Sequence, residues 1–297
     1  MSKQLAEEYY AKAKYTASKT GFFDTLFTTQ ETIFEEAADC FAKAGNHYRL
    51  AKMPKEAGDS FCEAADLFKK CKNNMDNIML QYAVDCYTLL PHNDENFKLI
   101  DKYTIDIIVS LELNSNKMDF SKIGKLYESL GDYYPNDISS TRYYNKALEY
   151  YDATFNANYT KQTCLNKIAT LYVNNQNFNE AVLLYHQIVN LVKSKNIISG
   201  FQHLRHLANI FICYIGTGDL VKLKKFIRQC NTEHQDFVTT SEYKSLYVIY
   251  SAMELNDIEE FDNQITAFRM SKNPENWKII AFEYGRKSMD TSDHDFS

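Results

Sequence analysis

Residues 31–72 read ETIFEEAADCFAKAGNHYRLAKMPKEAGDSFCEAADLFKKCK. Phe34, Ala37, Ala38, Phe41 and Ala44 recur at helical spacing, and Ala57, Phe61, Ala64, Ala65 and Phe68 then repeat the pattern. Such spacing puts the apolar side chains on one face of a helix. Pro54 stands between the two runs, where its fixed φ and missing N–H suit the first turn of the second helix. The stretch therefore predicts a helix hairpin in which small alanines receive large aromatic rings.

The same unit returns further along the chain. Tyr144, Ala147, Tyr150 and Tyr151 mark one helix, and Cys164, Ile168, Leu171 and Tyr172 mark the next. Asn174-Asn175-Gln176-Asn177 makes a turn, after which Phe178, Ala181, Leu184, Tyr185 and Ile188 continue. A helix pair that cannot bury its apolar face alone stacks on its neighbours, as in tetratricopeptide arrays. Pro91-His92-Asn93-Asp94 and Leu113-Asn114-Ser115-Asn116 break the repeat at uneven intervals, so the array is degenerate.

Composition agrees with this class. The 297 residues are 45% hydrophobic and contain only 9 Gly and 4 Pro, as expected of a largely helical globular chain. A net charge of −6 argues against general nucleic-acid binding. Cys40, Cys62, Cys71, Cys86, Cys164, Cys213 and Cys230 show no C-x-x-C spacing and lie mostly in apolar helical context, so they read as reduced core thiols of a cytosolic protein. Met1-Ser2-Lys3-Gln4 leads straight into an amphipathic helix, unlike a signal peptide. No apolar run reaches the length of a membrane-spanning helix, so any membrane contact is peripheral.

Phe22-Phe23-Asp24-Thr25-Leu26-Phe27 follows Gly21 between two helical stretches, which places four large apolar side chains in a loop. Loops lie at surfaces and usually carry polar residues. Either these side chains fold back as a local cap on the core, or they form an apolar tip that enters a membrane or a partner's groove. The residues leave both readings open.

Catalytic signatures are missing. The chain has no glycine-rich phosphate loop. His203 and His206 share a helix three residues apart, but with no third ligand in view they read as surface or half-buried histidines. Carboxylate pairs such as Glu35-Glu36 and Glu259-Glu260 read as solvated helix faces. A stacked-helix array works by offering an extended surface, so binding is the default activity and no cofactor is expected.

Several of these segments together resemble one family, the soluble NSF attachment proteins (SNAPs), and within it the alpha/beta branch. Phe22 to Phe27 is similar to the family's membrane-attachment loop. Tyr48 to Lys52 and Ala57 to Ala65 are similar to its second helical unit, and Asn177 to Ala181 with Tyr185 to a later one. Pro274-Glu275-Asn276-Trp277 is similar to the surroundings of its late tryptophan. The resemblance covers nearly the whole chain and is weakest from Met75 to Lys125.

What the resemblance implies is specific. The fold would be all-α, a twisted sheet of antiparallel tetratricopeptide-like hairpins (an α-solenoid) over residues 1–200 with the hydrophobic loop at 21–28. A C-terminal helical bundle would occupy 201–287 and a flexible acidic tail 288–297. The protein would be a non-enzymatic adaptor, cytoplasmic and peripherally membrane-bound, joining an assembled SNARE four-helix bundle to the disassembling ATPase NSF. Phe22, Phe23, Leu26 and Phe27 would touch the membrane. Lys117, Lys122, Lys161, Lys167, Arg205 and Lys244 would face acidic SNARE residues. Thr163, Gln202 and Ser241 stand where the family carries basic residues. Glu254, Asp293, Asp295 and Phe296 would face NSF, with Phe296 in the place of a penultimate leucine, while Gly216 and Ser251 depart from acidic positions. Two other readings stay beside this one. One is a divergent competitor or mimic, including one that a microbe delivers into a host cytosol, which binds SNAREs or NSF without efficient disassembly. The other is an unrelated tetratricopeptide-like scaffold.

Overall fold

The protein is described by a computed structural model covering residues 2–19, 29–113, 119–134, 137–194 and 202–292. Among the described residues every regular element is helical. The hydrophobic loop at 21–28 lies outside them, as do Lys117 and residues 293–297. No described helix is long and apolar enough to cross a membrane.

Packing divides the chain into two compact units, Met1–Tyr134 and Pro135–Ser297. The first holds α1 (Ser2–Ala17), α2 (Gln30–Leu50), α3 (Pro54–Lys70), α4 (Asp76–Tyr87), α5 (Asp94–Leu113) and α6 (Phe120–Tyr133), each packed on its neighbour in sequence. Pro54 opens α3 as its first residue. The small-to-large packing is direct. Ala37, Ala38, Ala44, Ala57 and Ala64 are wholly buried, and the Phe61 ring of α3 lies over Gly45 of α2. Tyr87 of α4 lies in the same way over Gly58 of α3, where a Cβ would stand 2.5 Å from the ring. Only a residue without a side chain lets an aromatic ring approach the helix backbone so closely.

The second unit holds α7 (Thr141–Asp152), α8 (Asn158–Asn174), α9 (Phe178–Ser194), α10 (Gln202–Thr217), α11 (Leu220–Glu233), α12 (Gln235–Val238), α13 (Ser241–Glu254), α14 (Ile258–Lys272) and α15 (Asn276–Ser292). Asp219, Thr240 and Asp257 cap α11, α13 and α14 by accepting from the backbone N–H three residues on, which satisfies a donor that the first helical turn leaves free. The centre of the unit is α10, buried on nearly every face from Leu204 to Gly216. It packs on α9, α11, α13 and α15. The return of α15 depends on close backbone approach: a Cβ on Gly285 would stand 2.8 Å from the Ile215 carbonyl oxygen, and one on Gly216 3.1 Å from Ala281.

The division expected at residue 200 falls between α9 and α10, whose side chains share one apolar core running from Leu165 to Met289. Residues 288–292 of the expected tail belong to α15, which continues to Ser292 and buries Met289, and 293–297 lie outside the described residues. Six cysteines are buried and Cys71 is half-buried.

Candidate functional site

An open groove of 470 Å³ runs along α8 in the second unit. One wall is a single face of α8, carrying Tyr159, Thr163, Asn166, Thr170 and Asn174 at helical spacing. The other wall is α10, with Gln202, Arg205, His206 and Asn209. Tyr185 of α9 contributes between them, and Glu275, Asn276 and Trp277 at the start of α15 close one end. Gln162 donates to the Gln202 side-chain oxygen at 3.3 Å, tying α8 to α10. Amides and hydroxyls make up most of the lining.

The charged groups of the groove are paired. Arg205 meets Glu275 at 2.6 Å, and Glu275 meets Lys278 at 3.3 Å. Burial pushes the Glu275 carboxyl up, but Lys278 and Arg205 outweigh it and hold the group below the usual range. Lys278 is buried and stacks over the Trp277 ring at 5.5 Å. Arg205 also borders a second cavity of 210 Å³ with Glu242, Lys272 and Lys278. Basic and acidic groups therefore alternate around this end.

His206 is buried, its ring 5.8 Å from that of Tyr185. Burial, with Arg205 and His203 nearby, lowers its pKa to about 4. Its Nδ1 and the Oδ1 of Asn209 are buried without a hydrogen-bond partner. The expectation of two surface or half-buried histidines thus holds for His203, which contacts Asp236, and fails for His206. The reason is the all-round burial of α10, which no local pattern around the two histidines reveals.

The structure scatters the other residues singled out from sequence. Lys122 is exposed in the first turn of α6, with its N–H bonded to Asp119. Lys161 is half-buried and paired with Asp152 at 2.7 Å. Lys167 lies on α8 beside the groove, 5.8 Å over the Tyr144 ring. Lys244 is exposed on α13. Glu254 pairs with Lys224 at 2.5 Å, and hydrogen bonds from Lys224 and Tyr250 hold its carboxyl low. Gly216 is buried under Phe178, so no charged side chain fits there. Phe22, Phe23, Leu26, Phe27, Lys117, Asp293, Asp295 and Phe296 lie outside the described residues.

Sequence reasoning missed the groove itself, above all Tyr185, His206, Asn209 and Glu275 as a set. One signal was present: Asn166, Thr170 and Asn174 form a polar stripe at four-residue spacing on α8.

The family described as "Soluble NSF attachment protein, SNAP" matches residues 4–287. An alpha-soluble NSF attachment protein of Vitis vinifera is 23% identical over 282 residues, covering 93% of this chain and 91% of that protein. The alpha-soluble NSF attachment protein of Saccharomyces cerevisiae is 24% identical over 284 residues, covering 93% of each. That of Homo sapiens is 21% identical over 279 residues, covering 92% of this chain and 89% of the relative.

Proposed function

The chain belongs to the soluble NSF attachment protein family, and from that premise we propose that it is an adaptor which holds assembled SNARE bundles at membranes and recruits an NSF-type ATPase to take them apart. The observation that carries this reading is the match from residue 4 to residue 287, which takes in both compact units. The work assigned to the chain is binding, with ATP hydrolysis left to the partner.

Within that reading, Lys117, Lys122, Lys161, Lys167, Arg205 and Lys244 are the proposed contacts for acidic SNARE residues. Lys161 and Arg205 are already paired with carboxylates that are themselves substantially exposed. An exposed ion pair is worth ~0–1 kcal/mol, so a partner's acid exchanges with Asp152 or Glu275 at little cost. Affinity then comes from many weak contacts and from complementarity of the two fields. Glu254, Asp293, Asp295 and Phe296 are the proposed contacts for the ATPase, with 201–287 as the bundle that carries them and 288–297 as its terminal segment. Phe22, Phe23, Leu26 and Phe27 are the proposed membrane anchor, which makes the attachment peripheral and reversible.

The test is a disassembly assay with purified SNARE complex, an NSF-type ATPase and ATP. The complex is expected to come apart only when this protein is added. Binding of the complex without stimulated disassembly, together with inhibition of an active adaptor in the same assay, would overturn the adaptor reading in favour of a competitor.

A further inference from the structure

Four cations share one exposed face of α11. Lys222, Lys224, Lys225 and Arg228 fall within about 160° of the helix circumference, around Val221. All four are exposed, and Val221 is 81% exposed. Asp219 takes Lys222 at 3.0 Å, and Glu254 takes Lys224 at 2.5 Å. Lys225 and Arg228 have no ion pair among the described residues. Two positive charges are thus left over on a chain of net charge −6. Leu255, next to the Glu254 that Lys224 holds, adds a second exposed apolar group.

The chain itself brings acids to this face. α15 packs beside α10 and passes the α10–α11 turn at Ser288, where a Cβ on Gly218 would stand 2.6 Å from that of Ser288. Val221 comes three residues after Gly218. From Ser288 to the end of α15 at Ser292 is one more turn, ~6 Å. Asp293, Asp295 and Phe296 follow within four residues, and four extended residues span ~13 Å. The α11 face from Val221 to Arg228 is ~10 Å long, so the segment reaches it. Asp290 is held by Arg286 at 2.6 Å and does not compete. The segment thus offers two carboxylates and an aromatic ring to a face with two unpaired cations and an exposed apolar centre.

We infer that residues 293–297 dock on α11 of the same chain, with Asp293 and Asp295 against Lys222, Lys225 and Arg228, and Phe296 on Val221. A tethered segment meets its site at a high effective concentration, so weak contacts suffice. Exposed charge pairs are individually weak and are screened by salt, so this latch closes at low salt and opens at high salt. Docking of the segment needs no adaptor role. Where that role holds, the closed latch withholds Asp293, Asp295 and Phe296 from the ATPase until a stronger partner displaces α11.

The experiment treats the full chain with a water-soluble carbodiimide, which joins a carboxylate to a lysine amine in contact with it, and maps the joined peptides by mass spectrometry. An equal mixture of isotopically light and heavy protein separates coupling within one chain from coupling between copies. Asp293 or Asp295 should couple to Lys222 or Lys225 within one chain. Arg228→Glu and Phe296→Ser should each lower that yield severalfold, and so should high salt. Independently, the amide NMR signals of Asp295 and Phe296 should shift between wild type and Arg228→Glu, and shift far less in Lys225→Arg, which keeps the charge. Lys225 and Arg228 are exposed, so these variants spare the fold. Coupling found only between light and heavy chains marks a second copy as the occupant and overturns the proposal. Equal yields in wild type, Arg228→Glu and Phe296→Ser mark mere nearness of a tethered segment and also overturn it. Absence of coupling, or tail signals identical in wild type and Arg228→Glu, leaves the α11 face to a separate acidic partner and overturns the latch.

Discussion

Arg205 on α10 and Glu275, just before α15, stand 70 residues apart in the chain and meet at 2.6 Å. The same carboxylate also holds Lys278. One acid thus masks two cations beside the groove. Replacing it separates stability from recognition. Glu275→Gln should lower stability by more than about 1 kcal/mol: the exposed Arg205 pair is worth little, but the buried Lys278 ammonium loses its carboxylate. It should raise affinity for an acidic SNARE bundle at low salt by releasing Arg205 and Lys278. Chemical denaturation and a binding titration measured side by side check both halves.

Lys167 lies beside the groove over the Tyr144 ring. Lys167→Glu should weaken SNARE binding more than Lys167→Ala, because it sets like charges against each other. The difference between the two variants should shrink as salt rises. Equal affinity of both variants at low salt would place the SNARE-binding face elsewhere.

Phe22→Ser with Phe23→Ser should abolish the gain in activity that liposomes provide and leave soluble SNARE binding intact. Burying one such ring is worth ~1.5–3 kcal/mol at most, so a single loop binds marginally and several copies around one bundle bind firmly. Loss of helicity or of cooperative melting in this double variant would instead make the loop part of the core.

Burial of neutral His206 makes stability depend on pH. Its folded pKa of about 4 lies below the ordinary histidine value of 6.5, so between these values the unfolded chain binds the extra proton. Stability therefore falls as pH drops from 6.5 toward 4, by up to about 3 kcal/mol from this residue. Burial lowers His186 and His234 in the same direction. Melting curves across this range should show a shallower decline for His206→Gln than for wild type.

Gly58 should not tolerate a methyl group. Alanine raises helix propensity by about 1 kcal/mol, but a Cβ 2.5 Å from the buried Tyr87 ring forces overpacking that costs about 1–3 kcal/mol. The Tyr87 hydroxyl is held by Asp59 at 2.8 Å, which limits the ring's retreat. Gly58→Ala should lower the urea midpoint with an unchanged m-value.

The sequence alone determined the elements and their order of pairing. Helical spacing of Ala and Phe, Pro54 at a helix start and the turn at Asn175 to Asn177 act within a few residues, where backbone geometry decides, and α2, α3, α8 and α9 form where these signals put them. The resemblance to the family was legible for the same reason, since it rests on contiguous motifs. Only the tertiary structure decided the groove. Arg205 meets Glu275, and His206 is buried beside Asn209, because α10 becomes the hub on which α9, α13 and α15 close. Which side chains then lose water is settled by packing between distant segments, through close contacts such as Gly285 on Ile215, and local periodicity carries no record of it.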